Sequence, residues 1–162
     1  MPQFVNNPPA SLIIFLHILK TAGSTFNNLL DDYYTVQNSA ATSPTRLHPN
    51  GSVENLTSLS REQRQKIELL YGHMGFGLHQ HFSRPAHYIT ILREPVSRVI
   101  SQYRHEKRVP LSNTYTLLQK GMDLKGFVDY YNDFQTDNMQ TRMLAGNWQG
   151  RGYGACTPEM FA

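Results

Sequence analysis

The feature that most constrains this chain is an apolar run, Ser11-Leu12-Ile13-Ile14-Phe15-Leu16-His17, which gives way within three residues to Lys20-Thr21-Ala22-Gly23-Ser24-Thr25. An unbroken apolar run of this length, without alternation, is the pattern of a strand buried on both faces of a parallel sheet. It is too short to span a bilayer, which takes about 20 apolar residues. Beyond the small residues, Phe26, Leu29, Leu30 and Tyr33 fall at helical spacing, so a helix is predicted over 24–34. Strand, tight turn and helix follow in that order. In open parallel sheets ligands bind beyond the carboxyl ends of the strands, which is where Lys20 to Thr25 falls.

The same order recurs downstream. His87-Tyr88-Ile89-Thr90-Ile91-Leu92 is rich in β-branched and aromatic residues and reads as a second strand, ended by Arg93. Pro95 suits the first turn of a helix, where its missing N–H costs nothing. In the helix predicted over 95–107, Val96, Val99, Ile100 and Tyr103 form one apolar stripe, and Arg98, Ser101, Gln102 and His105 lie largely on the other side. Ser60 and Gln63 have the spacing of a capping box for a helix over 61–69, leading into a short strand end at 69–73. Further helices are predicted over 124–131 and 137–144. Strands alternating with helices favour an α/β fold, a parallel sheet flanked by helices.

The 162 residues suit one domain, placed at 11–162 after an irregular, proline-rich lead-in at 1–10. Residues 35–60 read as a polar surface insertion and 146–154 as a glycine-rich tail. An apolar content of 40% argues against disorder. The formal charge of +3 suits an anionic ligand but is too modest to imply a nucleic-acid partner, and no membrane span is expected. A single cysteine, Cys156, excludes an intramolecular disulfide or a cysteine zinc cluster and favours a reducing compartment. No charged leader with an apolar region precedes the first strand, so a cytoplasmic location is expected. Without a secretory route, the glycosylation patterns at Asn50 and Asn55 are chance matches. No pair of histidines has a metal-ligand context, and no metal is expected.

Lys20 to Thr25 puts a cation, small residues and hydroxyls between a buried strand and a helix start, where free backbone N–H groups attract anions. This is not the G-x-x-x-x-G-K-[ST] loop, because the lysine precedes the glycine, and a kinase or GTPase fits poorly. The competing reading is a small-residue turn that only lets the helix pack closely, with Lys20 solvated.

His17-Ile18-Leu19-Lys20-Thr21-Ala22-Gly23-Ser24-Thr25 resembles the H-I-P-K-T-A-G-S-T segment of carbohydrate-type sulfotransferases that use PAPS (3′-phosphoadenosine 5′-phosphosulfate), with Leu19 in place of the proline. The resemblance implies a P-loop-like nucleotide-binding fold. It also implies a 5′-phosphosulfate site in which Lys20 lies beside the leaving phosphate oxygen and Thr21, Ala22, Gly23, Ser24 and Thr25 contribute amides or hydroxyls. The stretch from Leu92 to Tyr103 is similar to the family segment that holds the 3′-phosphate, with Arg93 and Ser101 at the corresponding positions. The bland alternative for Arg93 is a surface pairing with Glu94 or Asp31.

Sulfuryl transfer to a hydroxyl needs a base, and histidine is the commonest near neutral pH. Tyr71-Gly72-His73 resembles the Tyr-His-Gly-His segment of heparan sulfate 2-O-sulfotransferases, with Tyr71 in place of the first histidine. This makes His73 the candidate base; a hydrogen-bonded structural histidine is the alternative. His17, His79, His81 and His105 are weaker candidates. Residues 137–146 resemble the D-N-x-Q-T-R-x-L-x-G segment of relatives, in which Asn138, Gln140 and Arg142 either orient a substrate or cap and pack a helix. The resemblance implies PAPS as donor, PAP as product and a hydroxyl acceptor, carbohydrate or small metabolite. Relatives continue past the end of this chain, so the expected domain is incomplete at its C-terminus, and a non-catalytic nucleotide- or glycan-binding fragment is the alternative.

Overall fold

The computed structural model describes residues 11–37, 46–47, 56–112, 114–131 and 136–146. The 1–10 lead-in, most of the 35–60 stretch, nearly all of the glycine-rich tail, Asn50, Asn55 and Cys156 lie outside the described residues. The described residues fall into two compact units, one drawn from Met1–His17 and Ser24–Thr90, the other from Ile18–Gly23 and Ile91–Ala162.

The first unit is built on a parallel sheet of four strands, β1 (Leu12–Leu16), β2 (Arg46–Leu47), β3 (Leu69–Gly72) and β4 (Ala86–Thr90), in the order β2-β3-β1-β4. The apolar run thus becomes an interior strand, with Ile14 in register with Leu70 on one side and Tyr88 on the other. Leu12, Ile14 and Leu16 point to one face and form a core with Leu56, Ile67, Leu70, Met74 and Leu78. Phe15 meets Phe26 of α1 (Gly23–Gln37) edge-on at 4.7 Å between ring centres. Tyr71 also reaches α1, donating its hydroxyl to Asp31 at 3.1 Å.

β4 stops at Thr90 rather than Leu92. Its partner β1 ends at Leu16, which is in register with Thr90, and the Thr90 hydroxyl closes the ladder by donating to the Leu16 carbonyl at 2.9 Å. Helix α2 (Arg61–Gln65) starts with the expected capping box: Gln63 N–H donates to Ser60 Oγ at 3.2 Å and Ser60 N–H to Gln63 Oε1 at 2.8 Å. It ends short of residue 69 because Leu69 is committed to pairing with β1 and β2.

The second unit contains α3 (Pro95–Glu106), α4 (Tyr115–Gln119), α5 (Leu124–Tyr130) and α6 (Met139–Leu144). Pro95 takes the first turn of α3, and Glu94 caps it with both carboxylate oxygens, at 2.8 Å from Val96 N and 2.6 Å from Ser97 N. The amphipathic expectation for this helix fails in part. Arg98, Gln102 and Glu106 are 2%, 3% and 7% exposed, whereas Val96 is 64% exposed.

The buried polar stripe persists because its members serve one another: Gln102 Nε2 donates to Glu106 Oε1 at 2.7 Å and the Thr114 hydroxyl to Glu106 Oε2 at 3.1 Å. Buried polar groups are tolerated when they are hydrogen-bonded. From the apolar stripe, Tyr103 does pack inward, edge-on against the buried ring of Phe127 in α5.

Asp123 caps α5 by accepting from Gly126 N–H at 2.8 Å. Removing such a cap typically costs about 1 kcal/mol. Asp123→Ala is therefore expected to lower the urea midpoint at unchanged denaturant slope, and an unchanged midpoint would show that the cap contributes nothing.

Candidate functional site

In the second unit, Ile18–Gly23 forms a turn whose backbone is left-handed at two non-glycine residues, Lys20 (φ 67°) and Ala22 (φ 70°). Each such residue costs roughly 1–2 kcal/mol, and strain of this kind collects where a ligand is held. Backbone of alternating hand is the kind of conformation in which successive N–H groups can converge on an anion. Thr21, between the two, is 3% exposed, and its hydroxyl donates to the Ile18 carbonyl at 2.8 Å. Its backbone amide is then what Thr21 can offer a ligand.

The turn rests on α6. Ile18 is fully buried with Met139 and Met143, and Leu19 packs against the same cluster. Apolar packing therefore anchors Leu19. Gln140, on the same helix, grips the main chain of Arg93 on both sides, donating to the Arg93 carbonyl at 2.8 Å and accepting from its N–H at 3.0 Å. Arg142 is 1% exposed and donates from Nε to the Asp137 carbonyl at 2.9 Å. Asn138 is left-handed (φ 48°), and its amide bonds the neighbouring Asp137 carboxylate rather than capping the helix.

Arg93 extends one guanidinium N–H to the Lys20 carbonyl at 3.3 Å, and its side chain is otherwise exposed. It makes no ion pair with Glu94, whose oxygens are taken up by the α3 start; the Ser97 hydroxyl first, then the Ser97 and Val96 N–H groups and the nearby Arg93 charge, hold the Glu94 carboxyl below its usual range. Burial, then the charges of Arg108 and Arg93, lower the Lys20 pKa, with Glu106 opposing. A crowd of cations beside such a turn is an environment that an anion relieves. Ser101 is half-buried within α3, and its hydroxyl bonds to no described residue. Buried Arg98 is pushed down to about 10, first by burial and then by Arg142.

In the first unit, Ser24 and Thr25 are exposed in the first turn of α1. His73 follows Gly72, whose φ of 146° lies outside what side-chain-bearing residues favour, directly after β3. Its Nδ1 is 2.6 Å from the His17 carbonyl. A carbonyl only accepts, so Nδ1 carries the proton, and in the neutral ring Nε2 holds the lone pair. The His17 ring is 6% exposed, stacked on Phe15 at 5.7 Å and tilted against His73 at 4.4 Å, with Asn27 at 3.1 Å from its Nδ1.

The weaker histidine candidates are engaged in their own surroundings. His79 is tied to the Tyr88 hydroxyl at 2.9 Å, His81 ends a short 3-10 helix and His105 is half-buried on α3. Tyr88 accepts from the N–H groups of Gly77 and His79, so its own proton goes to His79 Nδ1. Among the described residues no group of His, Cys, Asp and Glu is arranged to hold a metal ion, and no helix is long and apolar enough to cross a membrane.

Sequence reasoning missed Gln140 as the residue that positions Arg93 and the α6 methionines as the floor of the turn. The available signal was the placement of Met139 and Met143 one helical turn apart.

No curated protein and no solved structure is matched significantly. The model of the sulfotransferase family matches residues 3–157, nearly the whole chain, and so takes in the strained turn at Lys20, the gripped Arg93 and His73: the chain belongs to the sulfotransferase family.

Proposed function

We propose that this chain moves a sulfuryl group from PAPS to a hydroxyl acceptor, a carbohydrate or a small metabolite, with His73 as general base. The observation that carries the reading is the turn at Lys20 and Ala22, left-handed at both residues and surrounded by the charges of Lys20, Arg93 and Arg108. These groups fit a phosphosulfate chemically, as N–H donors and cations for oxyanions. The Lys20 ammonium, the turn amides and the α1 start, with the exposed hydroxyls of Ser24 and Thr25, would hold the 5′ end of the donor. Arg93 and Ser101 would hold its 3′-phosphate. A guanidinium can meet a phosphate with two parallel N–H bonds, and the Gln140 grip on the Arg93 backbone restricts where that fork can point.

PAPS supplies an activated sulfuryl group on a phosphate that leaves as an anion. Lys20 and the turn amides would stabilise the charge growing on the departing phosphate oxygen, the kind of stabilisation that is usually the largest catalytic contribution. His73, with Nδ1 fixed by the His17 carbonyl, would take the acceptor proton at Nε2 as the new sulfur–oxygen bond forms. The likeness of Tyr71-Gly72-His73 to the heparan sulfate 2-O-sulfotransferase segment supports a carbohydrate hydroxyl as acceptor.

Transfer of labelled sulfate from PAPS to a panel of hydroxyl acceptors, beside calorimetry with PAP, tests this. PAP binding with transfer to at least one acceptor is expected. Binding without transfer to any would favour a non-catalytic binding role, and no binding would remove the donor assignment.

A further inference from the structure

The first unit holds a concentration of positive charge of its own. A concave site, open to solvent, is lined by Arg61, Arg64, His81 and Arg84 together with Gln65, Phe82 and Ser83, and no carboxylate lines it. Arg61 and Arg64 lie three apart on α2, hence on one face of that helix. Arg84 comes from the segment before β4 and is held in place: Nη1 donates to the Gln65 carbonyl at 2.6 Å and Nη2 to the Ile67 carbonyl. Its Nε–H is buried without a hydrogen-bond partner.

The nearby acids do not line the site, although Glu62 interacts through its charge with Arg61 and Arg64. Glu62 turns to the Ser60 hydroxyl at 2.8 Å, and among the described residues neither Arg61 nor Arg64 is in an ion pair. Glu68 acts on Arg84 through its charge but does not line the site. Three guanidiniums, one of them already fixed, and a histidine make a surface rich in N–H donors. Like charges held together repel one another, and a bound oxyanion offsets that cost.

We infer that Arg61, Arg64, His81 and Arg84 form a second oxyanion site, separate from the Lys20 turn, that binds one phosphate or sulfate group. Arg84 is the preset donor, and Arg61 and Arg64 close on the anion from the helix. The site owes nothing to the donor assignment and stands or falls apart from it.

The test follows the side-chain Nε–H resonance of Arg84 by NMR in the full chain, with and without saturating PAP, during titration with inorganic phosphate and, in parallel, methyl sulfate. The resonance is assigned by its loss in Arg84→Lys. A saturable shift unaffected by PAP is expected, and the tighter of the two anions identifies the group the site takes. Arg61→Gln/Arg64→Gln should weaken that binding roughly tenfold or more while PAP affinity stays unchanged. The double variant leaves the Arg84 clamp and the Ser60–Gln63 capping box in place and introduces a good helix former, so the fold is retained. No shift at Arg84 with either anion, or equal affinity in the double variant, would overturn the site. Loss of PAP binding alone would count against the Lys20 assignment and leave this one standing.

Discussion

Lys20→Ala is expected to lower sulfuryl transfer from PAPS by roughly a hundredfold or more, the usual consequence of removing one donor aimed at developing charge. Alanine is the informative replacement. Lys20 sits at φ 67°, where any Cβ is strained, so Lys and Ala share the backbone cost and differ in the ammonium. Glycine would relieve that strain and mix two effects. The charge environment adds a pH signature. Burial, Arg108 and Arg93 lower the Lys20 pKa, so in the free protein the ammonium loses its proton below the ordinary lysine range. A bound anion favours the charged form, so binding takes up a proton, and PAP affinity should fall as pH rises through that lowered value. Arginine stays charged throughout, so Arg93 contributes no such limb. Lys20→Ala should bind PAP more weakly and lose this alkaline decline, measured by calorimetry across pH. Wild-type turnover in the variant, or an unchanged alkaline limb, would place the ammonium outside the site.

Local pattern carried the reading where the physics is local. An unbroken apolar run can be satisfied only with neighbours on both faces, so β1 was legible as an interior strand, and Ser60 with Gln63 specified the start of α2 within a few residues. The pattern failed where partners are distant in sequence. Amphipathic reasoning puts polar residues in water, yet Glu106 is buried because Thr114, beyond the end of the helix, donates to it, and nothing in the 95–107 spacing announces that partner. The Gln140 grip on Arg93 joins main chain and side chain 47 residues apart, so segment 137–146 could be read only as either orienting or packing. In the structure Met139 and Met143 bury against Ile18, and Gln140 holds the main chain of Arg93. Thr21 illustrates a finer limit. A hydroxyl in a phosphate-type turn reads as a ligand-binding group, but this one is turned inward to the Ile18 carbonyl.

His73→Ala is expected to lower turnover by roughly 10²- to 10⁴-fold, the range of a general base, with PAP affinity unchanged. The argument rests on which nitrogen is free. The His17 carbonyl lies 2.6 Å from Nδ1 and cannot donate, so the proton resides there and Nε2 is the basic atom. A purely structural histidine would use the same hydrogen bond, so the rate alone does not separate the two roles. The pH profile does. A base must be neutral to act, so wild-type kcat/KM should fall on the acid side as the ring is protonated, and the residual rate of His73→Ala should lack that limb. A structural role predicts instead a lower melting temperature and a scaled-down profile of unchanged shape. The His17 ring, stacked between Phe15 and His73, supplies a control: His17→Phe keeps the main-chain carbonyl and the aromatic stack. It should therefore retain the acid limb. Retention of that limb by His73→Ala, or unchanged turnover, would remove His73 as the base and return the assignment to another group.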